Sequence, residues 1–180
     1  MSRPVQNLVL AALFFAIGII LPVIVGNTHW TGAMLLPMHL PVLMAGIILG
    51  PRYAGIIGIL LPITAFLLGH APPFPHVIIA MSFELPFYGI AAGILFGKLP
   101  KTFPFLMVSL VGAMIIGRVA SAIANLVVLN LFTDTPPFSF EVFLTGAFVT
   151  ALPGIIIQIV LIPILIVALQ RAGWKGGTRT

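Results

Sequence analysis

Long runs of apolar residues constrain the fold of this chain more than any other feature of its sequence. The runs are about 20 residues long, which is the length a helix needs to cross a hydrocarbon core about 30 Å thick. Of the 180 residues, 61% are hydrophobic and only 6% are charged, whereas about a quarter of the residues in a soluble domain are charged. The sequence therefore predicts an integral membrane protein.

Proline, glycine and polar residues divide the apolar sequence into six segments. Because backbone polar groups at membrane depth must be hydrogen-bonded internally, we expect each segment to form one helix. The expected spans cover about 6–25, 36–50, 53–68, 75–96, 105–132 and 140–170. The prediction is an all-α membrane protein with six transmembrane helices, forming a single transmembrane domain over residues 1–180.

The basic residues indicate how the six helices are oriented. If the N-terminus is cytoplasmic, the six spans alternate so that every basic residue in a terminus or connecting loop lies on the cytoplasmic side. This distribution agrees with the positive-inside rule. These residues are Arg3, Arg52, Lys98, Lys101, Arg171, Lys175 and Arg179. Both termini are therefore expected to be cytoplasmic in a multi-pass protein of the cell membrane. The net charge of +5 reflects the excess of basic residues in the cytoplasmic loops and not nucleic-acid binding. Basic residues scattered over short loops do not form the continuous surface that contacts a phosphate backbone.

Several kinds of catalytic chemistry are excluded by the motifs that the sequence lacks. It contains no G-x-x-x-x-G-K-[ST], so it has no P-loop with which to hydrolyse ATP, and it contains no H-E-x-x-H or G-x-S-x-G. No predicted span carries two carboxylates, and the absence of cysteine excludes disulfides and thiolate ligands. We therefore expect a protein that is not an enzyme and that needs neither a cofactor nor a metal.

Two ionisable residues stand apart inside the apolar segments. Glu84 lies in the fourth span and Arg118 in the fifth, and an unpaired arginine near a helix centre costs about 2.5–3.5 kcal/mol on insertion scales. Both side chains are therefore expected to face the protein interior and to compensate each other or a ligand. Two interpretations stay open: an ion pair that fastens span four to span five, and a site in which at least one of the two contacts a ligand.

Three further polar residues are candidates for the same region. Ser121 and Asn125 follow Arg118 by three and seven positions, which places all three on one helix face. Asn125 would either form an interhelical hydrogen bond or contact a ligand. His39 is flanked by two prolines near the outer end of the second span, and it is either a satisfied core residue or an imidazole directed at a ligand.

The first span contains a pair of small residues at helical spacing. Ala12 and Ala16 form an A-x-x-x-A motif, which allows the backbone of a second helix to approach closely. The second helix belongs either to this chain or to a partner protein.

The sequence resembles the substrate-binding S components of energy-coupling-factor (ECF) vitamin transporters from about residue 5 to 171. The resemblance depends on the segment LPMHLPVLMAGIILGPRY at 36–53, together with shorter segments elsewhere. These are PPFP at 72–75, AMSFEL at 80–85, GR at 117–118, GAF at 146–148 and ALPGI at 151–155.

The resemblance implies a subunit that captures a vitamin or related precursor and cannot move it alone. A transmembrane coupling subunit, which would dock on Ala12 and Ala16, and two cytoplasmic ATPase subunits would supply the energy for uptake. The implied ligand pocket opens outward and contains Glu84, Arg118 and Asn125, with His39 nearby and the 69–76 loop as a lid. Candidate substrates are pantothenate, pyridoxine-type vitamins and queuosine precursors.

Two rival functions stay open at this stage. The first is a homo-oligomeric channel or ungated carrier for small solutes, whose pore would be lined by Arg118, Ser121 and Asn125. The second is a membrane-embedded enzyme that uses Glu84 and His39, although the shortage of ionisable groups weighs against it.

Overall fold

The computed structural model describes residues 3–25, 34–69, 75–131 and 138–174, and these residues form helices without any strand. The elements in chain order are α1 (Arg3–Val25), α2 (His39–Leu49), α3 (Pro51–Leu67), α4 (Pro75–Lys98), α5 (Phe103–Leu131), α6 (Phe140–Leu144), a π-helix (Thr145–Thr150) and α7 (Leu152–Arg171). The all-helical fold class is thereby confirmed for the described residues.

Four of these helices are long and apolar enough to cross a membrane, namely Pro4–Val25, Val77–Lys98, Phe103–Leu131 and Leu152–Arg171. The helices α2 and α3 have 11 and 17 residues, so they are shorter than a full span of about 20 residues. The count of six spans and the cytoplasmic location of both termini stay predictions.

The two short helices α2 and α3 are joined through one glycine. Gly50 has φ 92°, a conformation that strains any residue with a Cβ atom, and its N–H donates to the carbonyl of Gly46. Pro51 then begins α3. A proline is favourable at this position because the first N–H groups of a helix have no hydrogen-bond acceptor within the helix. The sharp reversal packs α2 against α3 as a helical hairpin.

The helix α4 lies at the centre of the fold and packs against α2, α3 and α5. Glycines allow this close packing, since a Cβ atom at Gly46 of α2 would overlap the carbonyl oxygen of Gly89 in α4. Similarly, a Cβ atom at Gly58 of α3 would lie 2.6 Å from the backbone nitrogen of Pro86. The central position of α4 brings Glu84 within reach of α2 on one side and α5 on the other.

The predicted sixth span is interrupted in the structure. The six-residue π-helix follows α6, and the chain then turns at Ala151 before α7 begins with a proline in its first turn. π-Helical turns widen a helix locally and are frequent at functional sites. Here the interruption lies beside the cavity described below.

Candidate functional site

Glu84 and Arg118 face each other between α4 and α5. Nη1 of Arg118 lies 3.4 Å from Oε1 of Glu84, and the two residues are only 9% and 8% exposed, respectively. The ion pair, which is one of the two arrangements that the sequence left open, is therefore present. Each charge compensates the other in a place where an unpaired ion would be costly.

Two more side chains contact the same carboxylate. Nε2 of His39 lies 3.3 Å from Oε1 of Glu84, and the hydroxyl of Ser121 donates to Oε2 at 2.8 Å. The four residues His39, Glu84, Arg118 and Ser121 are called the Glu84 cluster below. The cluster joins α2, α4 and α5 at one point, so it fixes the position of Arg118 as well as that of Glu84.

Asn125 extends this cluster along α5 without crossing to another helix. Its amide nitrogen donates to the carbonyl of Ser121 at 2.8 Å and lies 3.3 Å from the Ser121 hydroxyl. Both partners belong to α5, so these contacts are not the interhelical hydrogen bond that one interpretation of the sequence required. Asn125 therefore contacts the cluster through Ser121.

Tyr88, which the sequence analysis did not select, packs against the cluster. It lies one turn after Glu84 on α4, is 1% exposed, and meets the His39 ring edge-to-face with ring centroids 4.8 Å apart. The guanidinium carbon of Arg118 lies 5.9 Å from the centre of the Tyr88 ring, within the range of a cation–π contact. The sequence feature that could have identified Tyr88 is its position four residues after Glu84.

Gly117 gives the Tyr88 ring the space it occupies, because a Cβ atom at this position would overlap the ring. Replacing Gly117 with alanine should therefore destabilise the fold by about 1–3 kcal/mol through overpacking. The measurement is the thermal unfolding of detergent-solubilised protein, in which the variant should unfold at a lower temperature. A matched control is Gly97→Ala in α4, where the added methyl group would meet nothing within 4 Å apart from the adjacent residues and backbone of its own helix. Equal stability of the two variants would contradict the assigned packing.

A cavity of about 150 Å³ lies beside the cluster, between α4 and α5 on one side and the π-helix and α7 on the other. It is lined by Leu36, Tyr88, Val111, Met114, Ile115, Arg118, Phe148, Ile155, Gln158 and Ile159. Arg118 is the charged residue of this lining. Glu84, His39 and Ser121 lie behind it, where they contact the guanidinium or one another.

Gln158 is a second lining residue that the sequence analysis did not select. It is 1% exposed, and its amide lies 3.4 Å from the carbonyl oxygen of Leu36, which also accepts the backbone N–H of His39 at 3.0 Å. Leu36 has φ 49°, a strained conformation for a residue with a Cβ atom. The signal that could have identified Gln158 was its buried amide in an otherwise apolar helix, since polar side chains at membrane depth are costly.

Several buried polar atoms near the cavity have no hydrogen-bond partner within the described part of the chain. They include Nη2 of Arg118, the hydroxyl of Tyr88 and Nδ1 of His39. Buried polar groups are normally paired, and each exception requires an explanation. A small molecule in the cavity, with an acceptor directed at Arg118, would explain the first of them.

Other candidate residues lie outside this region. Ala12 and Ala16 are exposed on α1, which packs against α2 and α3 through other residues. Most of the 69–76 segment, predicted to be a lid, lies outside the described residues. Within the described residues, no three His, Cys, Asp or Glu side chains are grouped so that they could bind a metal.

Comparison with known proteins gives one match. A family model described as "ECF transporter, substrate-specific component" matches residues 6–166. No curated protein and no solved structure matches the chain. The match covers α1 from residue 6 onward, all of α2 to α6 and the π-helix, and α7 up to residue 166, so it includes every residue of the Glu84 cluster and of the cavity lining.

Proposed function

Because the chain belongs to the family of substrate-specific components of ECF transporters, we propose that it captures a vitamin or related small precursor for an ATP-driven importer. Members of this family are membrane-embedded substrate-binding subunits and not enzymes.

The main observation in support is that Arg118 both pairs with Glu84 and lines the cavity. Its Nη1 contacts Glu84, while the residue also lines the cavity and its Nη2 is unpaired. An arginine whose only role was to fasten α4 to α5 would not need to line a cavity. A largely apolar pocket with a few convergent polar groups is typical of a small-molecule site.

Each polar residue of the region then has a distinct role. Arg118 would donate hydrogen bonds to a carbonyl or anionic oxygen of the substrate, and Gln158 would contact a second polar group. Glu84, His39 and Ser121 would orient the guanidinium through the contacts described above. Asn125 would orient Ser121, so its replacement should affect binding less than replacement of Arg118.

The contacts of Arg118 and Ser121 do not support the rival function as a channel. A pore along Arg118, Ser121 and Asn125 would require these residues to face a partner copy across an oligomer. Arg118 and Ser121 instead point at Glu84 within the same chain and are both buried. This arrangement favours a site inside one subunit.

The partners expected for uptake are the coupling subunit and two ATPase subunits. The exposed A-x-x-x-A pair on α1 is the surface proposed for the coupling subunit, since small residues allow close helix packing. Co-purification of ATPase subunits with the tagged chain from its native membrane would test the assignment to an importer.

Direct binding to the purified protein tests whether the cavity is the capture site. A panel of vitamins and precursors is titrated in detergent, and the best ligand is then used with two tryptophan variants of α7. Ile155→Trp should weaken binding at least about tenfold, or ~1.4 kcal/mol, because Ile155 lines the cavity and the indole would occupy it. The adjacent Ile156 is exposed and not in the lining, so Ile156→Trp is the matched control and should bind normally. Equal affinities in the two variants would place the substrate elsewhere.

A further inference from the structure

The charges at the site constrain the charge of the substrate. Arg118 is the charged residue among those that line the cavity, and its Nη1 lies 3.4 Å from the carboxylate of Glu84 behind it. Their charges sum to zero. A substrate with a net charge would therefore enter a low-dielectric site that offers no unpaired charge of opposite sign.

His39 lies behind this pair, because its Nε2 is 3.3 Å from Oε1 of Glu84 and it is not among the residues that line the cavity. The charged group that a substrate in the cavity meets is therefore the Arg118 guanidinium, which already contacts Glu84.

The volume and lining of the cavity constrain the size and polarity of the substrate. A cavity of about 150 Å³ is about the size of one that accommodates a benzene ring. Its lining is aliphatic and aromatic apart from Arg118, Gln158 and the hydroxyl of Tyr88. The unpaired Nη2 of Arg118 is a hydrogen-bond donor, so the molecule that completes the site must offer an acceptor.

We infer that the substrate is a compound of zero net charge and about the size of a single ring, which directs a carbonyl-type oxygen at Nη2 of Arg118. This inference rests on the proposed function and makes it more specific. It excludes free carboxylates and organic cations as the preferred substrates, although both are common among small nutrients that are imported.

Three isosteric probes separate these classes of substrate. Benzamide is neutral, benzoate is an anion and benzamidinium is a cation at neutral pH, while all three have the same ring and nearly the same size. Their binding to the full-length purified protein is measured by ligand-observed NMR, which detects weak complexes. Benzamide should bind at least about tenfold more tightly than either ion. Tighter binding of benzoate or benzamidinium, or no binding of benzamide, would overturn the inference.

The Glu84→Gln variant provides a second, independent test of the charge argument. It removes the negative charge while leaving Arg118, so the site gains a net positive charge. The ratio of benzoate affinity to benzamide affinity should then rise at least about tenfold over that of the wild type. An unchanged ratio in a folded variant would overturn the inference.

Failure of this inference and failure of the proposed function give different results. If the substrate is charged or larger than one ring, the wild type still captures a compound from the vitamin panel, and Ile155→Trp still blocks it. If the chain captures no small molecule at the cavity, neither the panel nor the three probes bind.

Discussion

Replacing Arg118 with glutamine should weaken substrate binding by at least about 100-fold, or ~2.8 kcal/mol. The variant removes the donor that the substrate is proposed to contact, and a hydrogen bond to a charged group contributes about 1.5–3 kcal/mol. It also leaves Glu84 without its guanidinium partner at a position that is 8% exposed. The measurement is the titration of purified protein with its best ligand from the vitamin panel.

A double variant separates loss of binding from loss of folding. Arg118→Gln alone should destabilise the protein by about 3–5 kcal/mol, because it leaves a buried carboxylate uncompensated. Glu84→Gln combined with Arg118→Gln removes both charges, so thermal stability should largely return. Binding should not return, since the guanidinium is still missing. Wild-type affinity in either variant would show that the pair only fastens α4 to α5.

The rarity of ionisable residues in the apolar segments explains why the centre of the site could be predicted. The cost of an unpaired charge in a membrane allows few arrangements for Glu84 and Arg118, and pairing is the simplest of them. Helical spacing then placed Ser121 on the same face as Arg118, where it donates to Glu84. For these three residues, chemistry and periodicity predicted that they share one region and left the choice between an ion pair and a ligand contact open.

Tyr88 and Gln158 could not be selected with the same arguments. A tyrosine in an apolar helix occurs in many cores, and its role here depends on Gly117 of another helix, which leaves space for its ring. Gln158 was detectable as a buried amide, but its partner is the carbonyl of Leu36, 122 positions earlier in the chain. Contacts between distant segments depend on tertiary packing, which periodicity within one segment does not describe.

The beginning of α2 shows tertiary packing prevailing over a local preference. A residue that precedes proline favours an extended conformation with negative φ, whereas Leu36 has φ 49° before Pro37. Its carbonyl accepts from the backbone of His39 and from Gln158. These contacts support the strained residue beside the cavity, where irregular backbone is tolerated because it is buried in protein.

Replacing both Ala12 and Ala16 with leucine should abolish uptake by the assembled importer while leaving substrate binding unchanged. Both alanines are exposed on α1, so the larger side chains would face outward without disturbing the packing of α1 against α2 and α3. They would separate the backbones of α1 and the coupling subunit, which small residues allow to approach closely. The measurements are uptake into cells or vesicles that contain the full complex, and titration of the purified variant.

A second pair of exposed alanines provides the matched control. Ala168 lies in the last turn of α7 and Ala172 directly follows that helix, so the two have the same spacing, and both are exposed. Because the control variant adds the same volume and hydrophobicity to another surface of the protein, it should support normal uptake. Equal loss of uptake in both double variants would indicate a general effect on insertion or assembly. Loss of substrate binding in the α1 variant, or normal uptake by it, would show that Ala12 and Ala16 are not the docking surface.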